Sequence, residues 1–159
     1  MTDAGGNDLL RVAANGDVSL VATFPPASNG AEPVPTEVER GPDGALYVSL
    51  LTGAPFNAGV AGIYKIVSGQ PQLAQGGFKT ITDFTFGPDG SMYVLEHATS
   101  ATFFGGPGRL TKVAPNGTRT VITTALNRPT SVLMGDDGAL YVSNNGVSVG
   151  TGEVLRIQP

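Results

Sequence analysis

Three nine-residue segments of the chain copy one another: Gly41-Pro42-Asp43-Gly44-Ala45-Leu46-Tyr47-Val48-Ser49, Gly87-Pro88-Asp89-Gly90-Ser91-Met92-Tyr93-Val94-Leu95 and Gly135-Asp136-Asp137-Gly138-Ala139-Leu140-Tyr141-Val142-Ser143. Their leading glycines lie 46 and then 48 residues apart (41 to 87, 87 to 135). A second set falls between them: Leu10-Arg11-Val12, Tyr64-Lys65-Ile66, Thr111-Lys112-Val113 and Leu155-Arg156-Ile157. A period in the mid-forties with about four strand-like pieces per unit is the size of one blade of a β-propeller.

The pieces have the chemistry of strands and tight turns. In Leu46-Tyr47-Val48 and its two copies, aliphatics stand two apart and an aromatic occupies the other face, which suits a strand inside a sheet stacked between two others. Gly-Pro-Asp-Gly reads as a hairpin. Pro88 presets φ at one corner, Asp89 tolerates the next, and Gly90 supplies φ > 0. Ala114-Pro115-Asn116-Gly117 repeats the logic, and Ala14-Asn15-Gly16 is a looser version. No segment has a convincing helical period. The sequence therefore predicts an all-β chain of about three four-stranded blades. With strand a innermost and d outermost, residues 8–24 are strands c and d, 36–75 a full blade, 82–124 a second full blade, and 130–157 strands a, b and c. The stretch from Pro25 to Pro33 is a loop between blades.

Composition narrows the partners. The net charge of −4, with no run of Lys or Arg, argues against nucleic acid, whose phosphates call for a basic patch. There is no cysteine, so neither disulfides nor thiolate metal sites are expected. No apolar run approaches the roughly 20 residues that a membrane-spanning helix needs. The first six residues carry no signal-peptide pattern.

Closed propellers have about four to eight blades, so three cannot make a ring. An open arc exposes two sheet edges and two apolar faces, which invites association. The expected partner is a second copy, whose strand d would complete the blade begun by residues 130–157 and give a six-bladed two-fold ring. One strand c is then superfluous, so some terminal residues should be displaced.

The segments Asp3-Ala4-Gly5-Gly6-Asn7-Asp8-Leu9-Leu10-Arg11-Val12, Leu51-Thr52-Gly53-Ala54-Pro55-Phe56, Phe86 to Glu96, and Gly152-Glu153-Val154-Leu155-Arg156-Ile157 resemble the ScyD/ScyE-type propeller proteins, named for scytonemin biosynthesis clusters. The resemblance runs nearly end to end and covers about half of such a protein. It implies a six-bladed fold and an extracytoplasmic parent, and carries no reaction with it. One departure stands out. Thr36-Glu37-Val38-Glu39-Arg40 is more polar than Thr82-Asp83-Phe84-Thr85-Phe86 or Thr130-Ser131-Val132-Leu133-Met134, which suits pairing with neighbours or a water-filled channel.

In a propeller the d–a and b–c connections share one face and ring the channel mouth. That places Glu37 and Asp83 near Glu96, His97, Asn144 and Asn145, with Thr36, Thr82 and Thr130 aligned along the rim. Such carboxylates and amides, with one imidazole, could hold a divalent cation, with Asp83, Glu96 and His97 the candidate ligands and calcium or another metal the candidate ion. The ordinary readings stand beside these. The threonines are strand-start hydroxyls bonded to backbone, Asp43, Asp89 and Asp137 are hairpin residues, and Asn144-Asn145-Gly146 is a turn. His97, the sole histidine, is a weak candidate for a general base. Glu96, its natural partner, lies next to it in sequence and therefore on the opposite face of an extended strand. Two functions remain open at this level. One is a self-associating scaffold or binding module taking a small molecule. The other is a metal-dependent hydrolase, lactonase-like or esterase-like, acting in the channel as other six-bladed enzymes do.

Overall fold

A computed structural model describes residues 1–100 and 104–159. Its described residues form fourteen strands and no helix. The strands are β1 (Thr2–Asp3), β2 (Asp8–Val12), β3 (Val18–Thr23), β4 (Pro35–Arg40), β5 (Leu46–Leu50), β6 (Ala61–Val67) and β7 (Gln70–Phe78). They continue with β8 (Ile81–Phe86), β9 (Met92–Glu96), β10 (Gly108–Val113), β11 (Arg119–Leu126), β12 (Ser131–Met134), β13 (Leu140–Asn144) and β14 (Glu153–Ile157). Four antiparallel meanders result: β1-β2-β3, β4-β5-β6-β7, β8-β9-β10-β11 and β12-β13-β14. They stack in chain order, with β4, β8 and β12 side by side along one edge and β3 meeting β7 along the other. This is an arc of propeller blades, two complete and two partial. The first partial sheet holds one strand more than the repeat pattern suggests. Thr2 and Asp3 pair with Leu9 and Asp8, an addition too short to leave a periodic signature.

The nine-residue repeat folds the same way three times. Gly44, Gly90 and Gly138 take φ of 79°, 78° and 75°, the left-handed region that a side chain resists. The leading glycines serve another purpose. A Cβ on Gly41, Gly87 or Gly135 would stand 2.4, 2.8 or 2.7 Å from Cε2 of Tyr47, Tyr93 or Tyr141; the ring lies across the turn where a side chain would be. The hairpin aspartate then ties turn to strand. Asp43 accepts from the Tyr47 hydroxyl (3.1 Å) and pairs with Lys65 (2.6 Å), while Asp137 accepts from Tyr141 (3.0 Å) and pairs with Arg156 (2.8 Å). Asp89 pairs with Lys112 at 3.0 Å. These bonds hold the carboxyls of Asp43 and Asp89 down to about 2 and that of Asp137 below its ordinary value. For Asp43 the Lys65 bond is the largest cause, and for Asp89 and Asp137 it is the backbone N–H two residues on.

The core lies between the sheets. In β5 and β9 the valine after the tyrosine faces the preceding sheet and the tyrosine the following one. Val48 and Leu50 pack with Leu9, Ala22 and Phe24 of the first sheet. Tyr47 and Ile63 pack with Ile81, Phe84 and Val94 of the third. Tyr93 and Leu110 pack with Val132, Leu140 and Val142 of the last. Near the axis polar bonds add to this packing. Thr36 donates to Ile81 O (3.2 Å), and Glu39 accepts from Thr85 Oγ1 and Phe86 N, both at 2.9 Å. Asp83 accepts from Ser131 Oγ (2.7 Å) and Val132 N (2.8 Å). The polar residues of β4 are therefore inter-blade ties in part, and Arg40 reaches its own hairpin at Gly44 O (2.6 Å).

Candidate functional site

At the rim the d–a and b–c connections bond to one another. Leu51 N donates to Val34 O, His97 N to Thr80 O, and Asn145 N to Asn127 O. The backbone is held tightly here. Val34, Thr52, Phe56, Arg128 and Asn145 all have positive φ, between 47° and 68°, a conformation that costs non-glycine residues about 1 kcal/mol or more each. The sequence candidates lie in two groups around this rim.

Glu37, Glu39 and Asp83 line a hollow of about 280 Å³ on the channel side, beside Ser131 and Leu133. Burial pushes the Asp83 and Glu39 carboxyls above their ordinary values, and the like charge of Glu37 adds to both. Both Asp83 oxygens are nonetheless engaged, one by Ser131 and Val132 N, the other by Phe84 N (2.7 Å). Glu37 accepts from Val38 N at 2.8 Å.

Glu96 ends β9 fully buried. One oxygen accepts from Lys79 N (2.9 Å) and the other from Arg109 Nε (2.6 Å) across the β9–β10 pair. His97 is 9% exposed. Its Nδ1 lies 3.0 Å from Pro129 O, and its ring meets Phe104 edge-on at 5.5 Å. A carbonyl only accepts, so Nδ1 carries the proton and Nε2 the lone pair. Desolvation, with the Arg128 charge assisting, keeps the imidazole neutral to lower pH than usual. Asn144 takes the same repeat position as Glu96. It accepts from Asn127 N (2.8 Å) and donates to Glu153 (2.9 Å), while Asn145 donates to Glu153 and Thr151 O.

Among the described residues no three His, Asp or Glu side chains are grouped as ligands of a metal ion. The donor set of Asp83, Glu96 and His97 does not fit such an ion. Asp83 and Glu96 have each oxygen bonded to an N–H or O–H, which leaves Nε2 of His97 as the one uncommitted donor of the three. The rim threonines serve structure: Thr36 bridges to Ile81 O and Ser49, and Thr82 donates to Pro129 O at 3.5 Å.

Sequence reasoning missed the cations. Lys79, 3% exposed, lies in the β7–β8 connection, and half-buried Arg128 in the β11–β12 connection. The available signal was a lone cation in two of the three d–a connections, one or two residues after the last apolar residue of the outer strand: Phe78-Lys79 and Leu126-Asn127-Arg128.

The fold and rim define a class, the β-propeller, and solved structures agree. The chain aligns with virginiamycin B lyase from Staphylococcus aureus at a TM-score of 0.60 and 16% identity, covering 98% of this chain and 50% of that one. A gluconolactonase-like protein matches at 0.59 and 14%, covering 95% and 56%. A streptogramin B lyase matches at 0.56 and 14%, covering 98% and 49%. The chain thus spans about half the length of these proteins, and identities this low carry the fold alone. No known protein family matches the chain, and no protein of curated function is similar to it in sequence.

Proposed function

We propose that this chain is half of a six-bladed ring, that it pairs with a second copy, and that the ring serves as a scaffold and binding module with a small-molecule site at its channel mouth. One observation carries the reading. Leu9, Ile63, Leu110 and Val154 occupy the same repeat position; the first three are 0–1% exposed and Val154 is 69% exposed. Tyr141 likewise lies half-buried where Tyr47 and Tyr93 are buried. The last sheet therefore presents the face that elsewhere meets the next blade.

The receiving surface is at the other end. A groove of about 560 Å³ beside the incomplete first sheet is lined by Met1, Leu9, Val12, Val38, Arg40 and Leu46. Val38 and Leu46 repeat the Val132 and Leu140 on which Tyr93 packs. The β12-β13-β14 sheet of one copy packs on Val38 and Leu46 of the partner, takes its β3 as the outer strand, and displaces β1 and β2 together with Met1, Leu9 and Val12. Two full sheets and one fused sheet per chain make six blades in the pair. The ScyD/ScyE-type resemblance supports the same count. Mass in solution is the test: two chains for the wild type at micromolar concentration, one chain for Val154→Asp. A wild-type mass of one chain overturns the reading.

A second reading, a hydrolase acting in the channel, draws support from the gluconolactonase-like neighbour. A metal-dependent form of it needs ligands other than Asp83 and Glu96. Elemental analysis and turnover of lactones with and without chelator separate the two readings.

A further inference from the structure

The outer strands β3, β7 and β11 each carry a bulge at the same repeat position. One residue is left over between the pairs Leu9–Ala22 and Leu10–Leu20, between Ile63–Gln75 and Tyr64–Leu73, and between Leu110–Thr123 and Thr111–Val121. Those residues are Val21, Ala74 and Ile122. A bulge re-aims its side chain, and all three pack against a core cluster between sheets. Ile122 packs with Tyr93, Leu140 and Ile157. Ala74 takes the same place beside Tyr47, Met92 and Val113, with a methyl where its counterpart has a branched chain. The interface between the second and third sheets is left with a hollow of about 290 Å³, lined by Tyr47, Ala74, Gln75, Phe86 and Met92. It opens among the a–b and c–d hairpins, on the face of the arc opposite the rim, where Pro42 and Pro115 stand beside Gly90.

The lining selects a ligand. Tyr47 meets Phe86 edge-on at 5.2 Å, and Met92 adds a polarisable sulfur, so the walls suit an aromatic body. An apolar cavity of about 150 Å³ takes a benzene, so this hollow has room for two fused rings. Asp43, the charged residue of the lining, is neutralised by Lys65 at 2.6 Å, which favours an uncharged molecule. Gln75 Oε1 meets Arg119 Nη2 at 3.5 Å, and the amide N–H groups of Gln75 are left to give to an oxygen. We infer that this hollow binds a neutral aromatic of two fused rings bearing a hydroxyl, the rings against Tyr47, Phe86 and Met92 and the oxygen accepting from Gln75. All of these residues belong to the two complete blades of one chain, so the site is separate from the channel mouth and stands or falls apart from the solution mass.

The methionines make the test selective. Met92 lines this hollow, Met134 lines another beside Leu133 and Asp136, and Met1 lines the groove at the first sheet. Naphthol is the probe, read by NMR of methyl-labelled methionine. At about 1 mM or below it should move the Met92 methyl signal saturably through its ring current and leave Met1 and Met134 in place. Phenol and decahydronaphthol should each need at least tenfold more. Ala74→Ile, which copies the third bulge, and Ala74→Val, which copies the first with a smaller side chain, should each weaken naphthol at least tenfold. Gln75→Leu should weaken naphthol about threefold or more and leave naphthalene unaffected. Absence of saturation, an equal shift at Met1 or Met134, or undiminished binding in Ala74→Val overturns the proposal. Equal binding of decahydronaphthol overturns its aromatic half, and undiminished naphthol binding in Gln75→Leu overturns its polar half.

Discussion

The interfaces inside the arc and the faces at its ends are built from the same repeat positions, and they differ in what covers them. At the β9–β10 pair, buried Glu96 faces Arg109; at the corresponding β13–β14 pair, Asn144 faces Glu153. Leu110 is fully buried between sheets and Val154 stands in solvent. The hairpin clamps show the same asymmetry. Lys65, Lys112 and Arg156 each meet an aspartate of their own sheet. Arg11, their counterpart in the first sheet, is exposed where no a–b hairpin precedes it. A blade's side chains are thus chosen for its neighbours, and much of a strand's stabilisation arises only when the next sheet is present.

This contrast can be broken by experiment. The largest effect should come from Glu96→Ala, which leaves the buried Lys79 amide and the one-third-exposed Arg109 without their acceptor. Urea denaturation should show a loss of about 3 kcal/mol, against about 1 kcal/mol for Asn144→Ala at the equivalent position. Equal losses would show that the two pairs are not distinguished by burial. Next comes the apolar position. Leu110→Ala should cost about 2–5 kcal/mol, while Val154→Ala in a dilute single chain should stay within about 0.5 kcal/mol. A Val154→Ala cost that grows with protein concentration would sharpen the comparison, since only association covers that side chain.

The smallest effect concerns pH, where inner and outer carboxylates oppose each other. Asp83 and Glu39 have folded values raised by burial, so their contribution is present at low pH and is lost as pH rises above the ordinary carboxylate values. Asp43, Asp89 and Asp137 have lowered values, so theirs is present above the ordinary value and is lost as pH falls toward about 2. Stability should therefore decline gently as pH rises above the ordinary carboxylate range. Asp83→Asn, which still accepts from Ser131 and Val132 N, should flatten that decline. An unchanged slope in the urea midpoint would remove Asp83 from the account.

The propeller was legible because its evidence is local. Gly-Pro-Asp-Gly and an alternating Leu-Tyr-Val declare a turn and a strand within nine residues, three times over. The first glycine's purpose was not legible, since the ring that excludes a side chain belongs to a tyrosine six residues on. The site was legible only as a place. That Glu96 and His97 sit at the rim follows from blade order. That Glu96 is consumed by Arg109 depends on cross-strand register, and that His97 turns to Pro129 O depends on how a neighbouring blade is set. Asp83 looked like a free channel carboxylate because the Ser131 and Val132 groups that bind it lie 48 and 49 residues away. Lys79 and Arg128 were overlooked because nothing in a lone cation of a loop tells that folding will bury it.

The leading glycines of the repeat have one more consequence. Gly41 works by what it omits: a single methyl there would strike the Tyr47 ring at 2.4 Å. Displacing the ring would pull its hydroxyl from Asp43, and Asp43 is also the anchor of Lys65 on the third strand. One added carbon at a turn would therefore be felt two strands away, so the smallest residue of the hairpin sets the tolerance of the whole sheet.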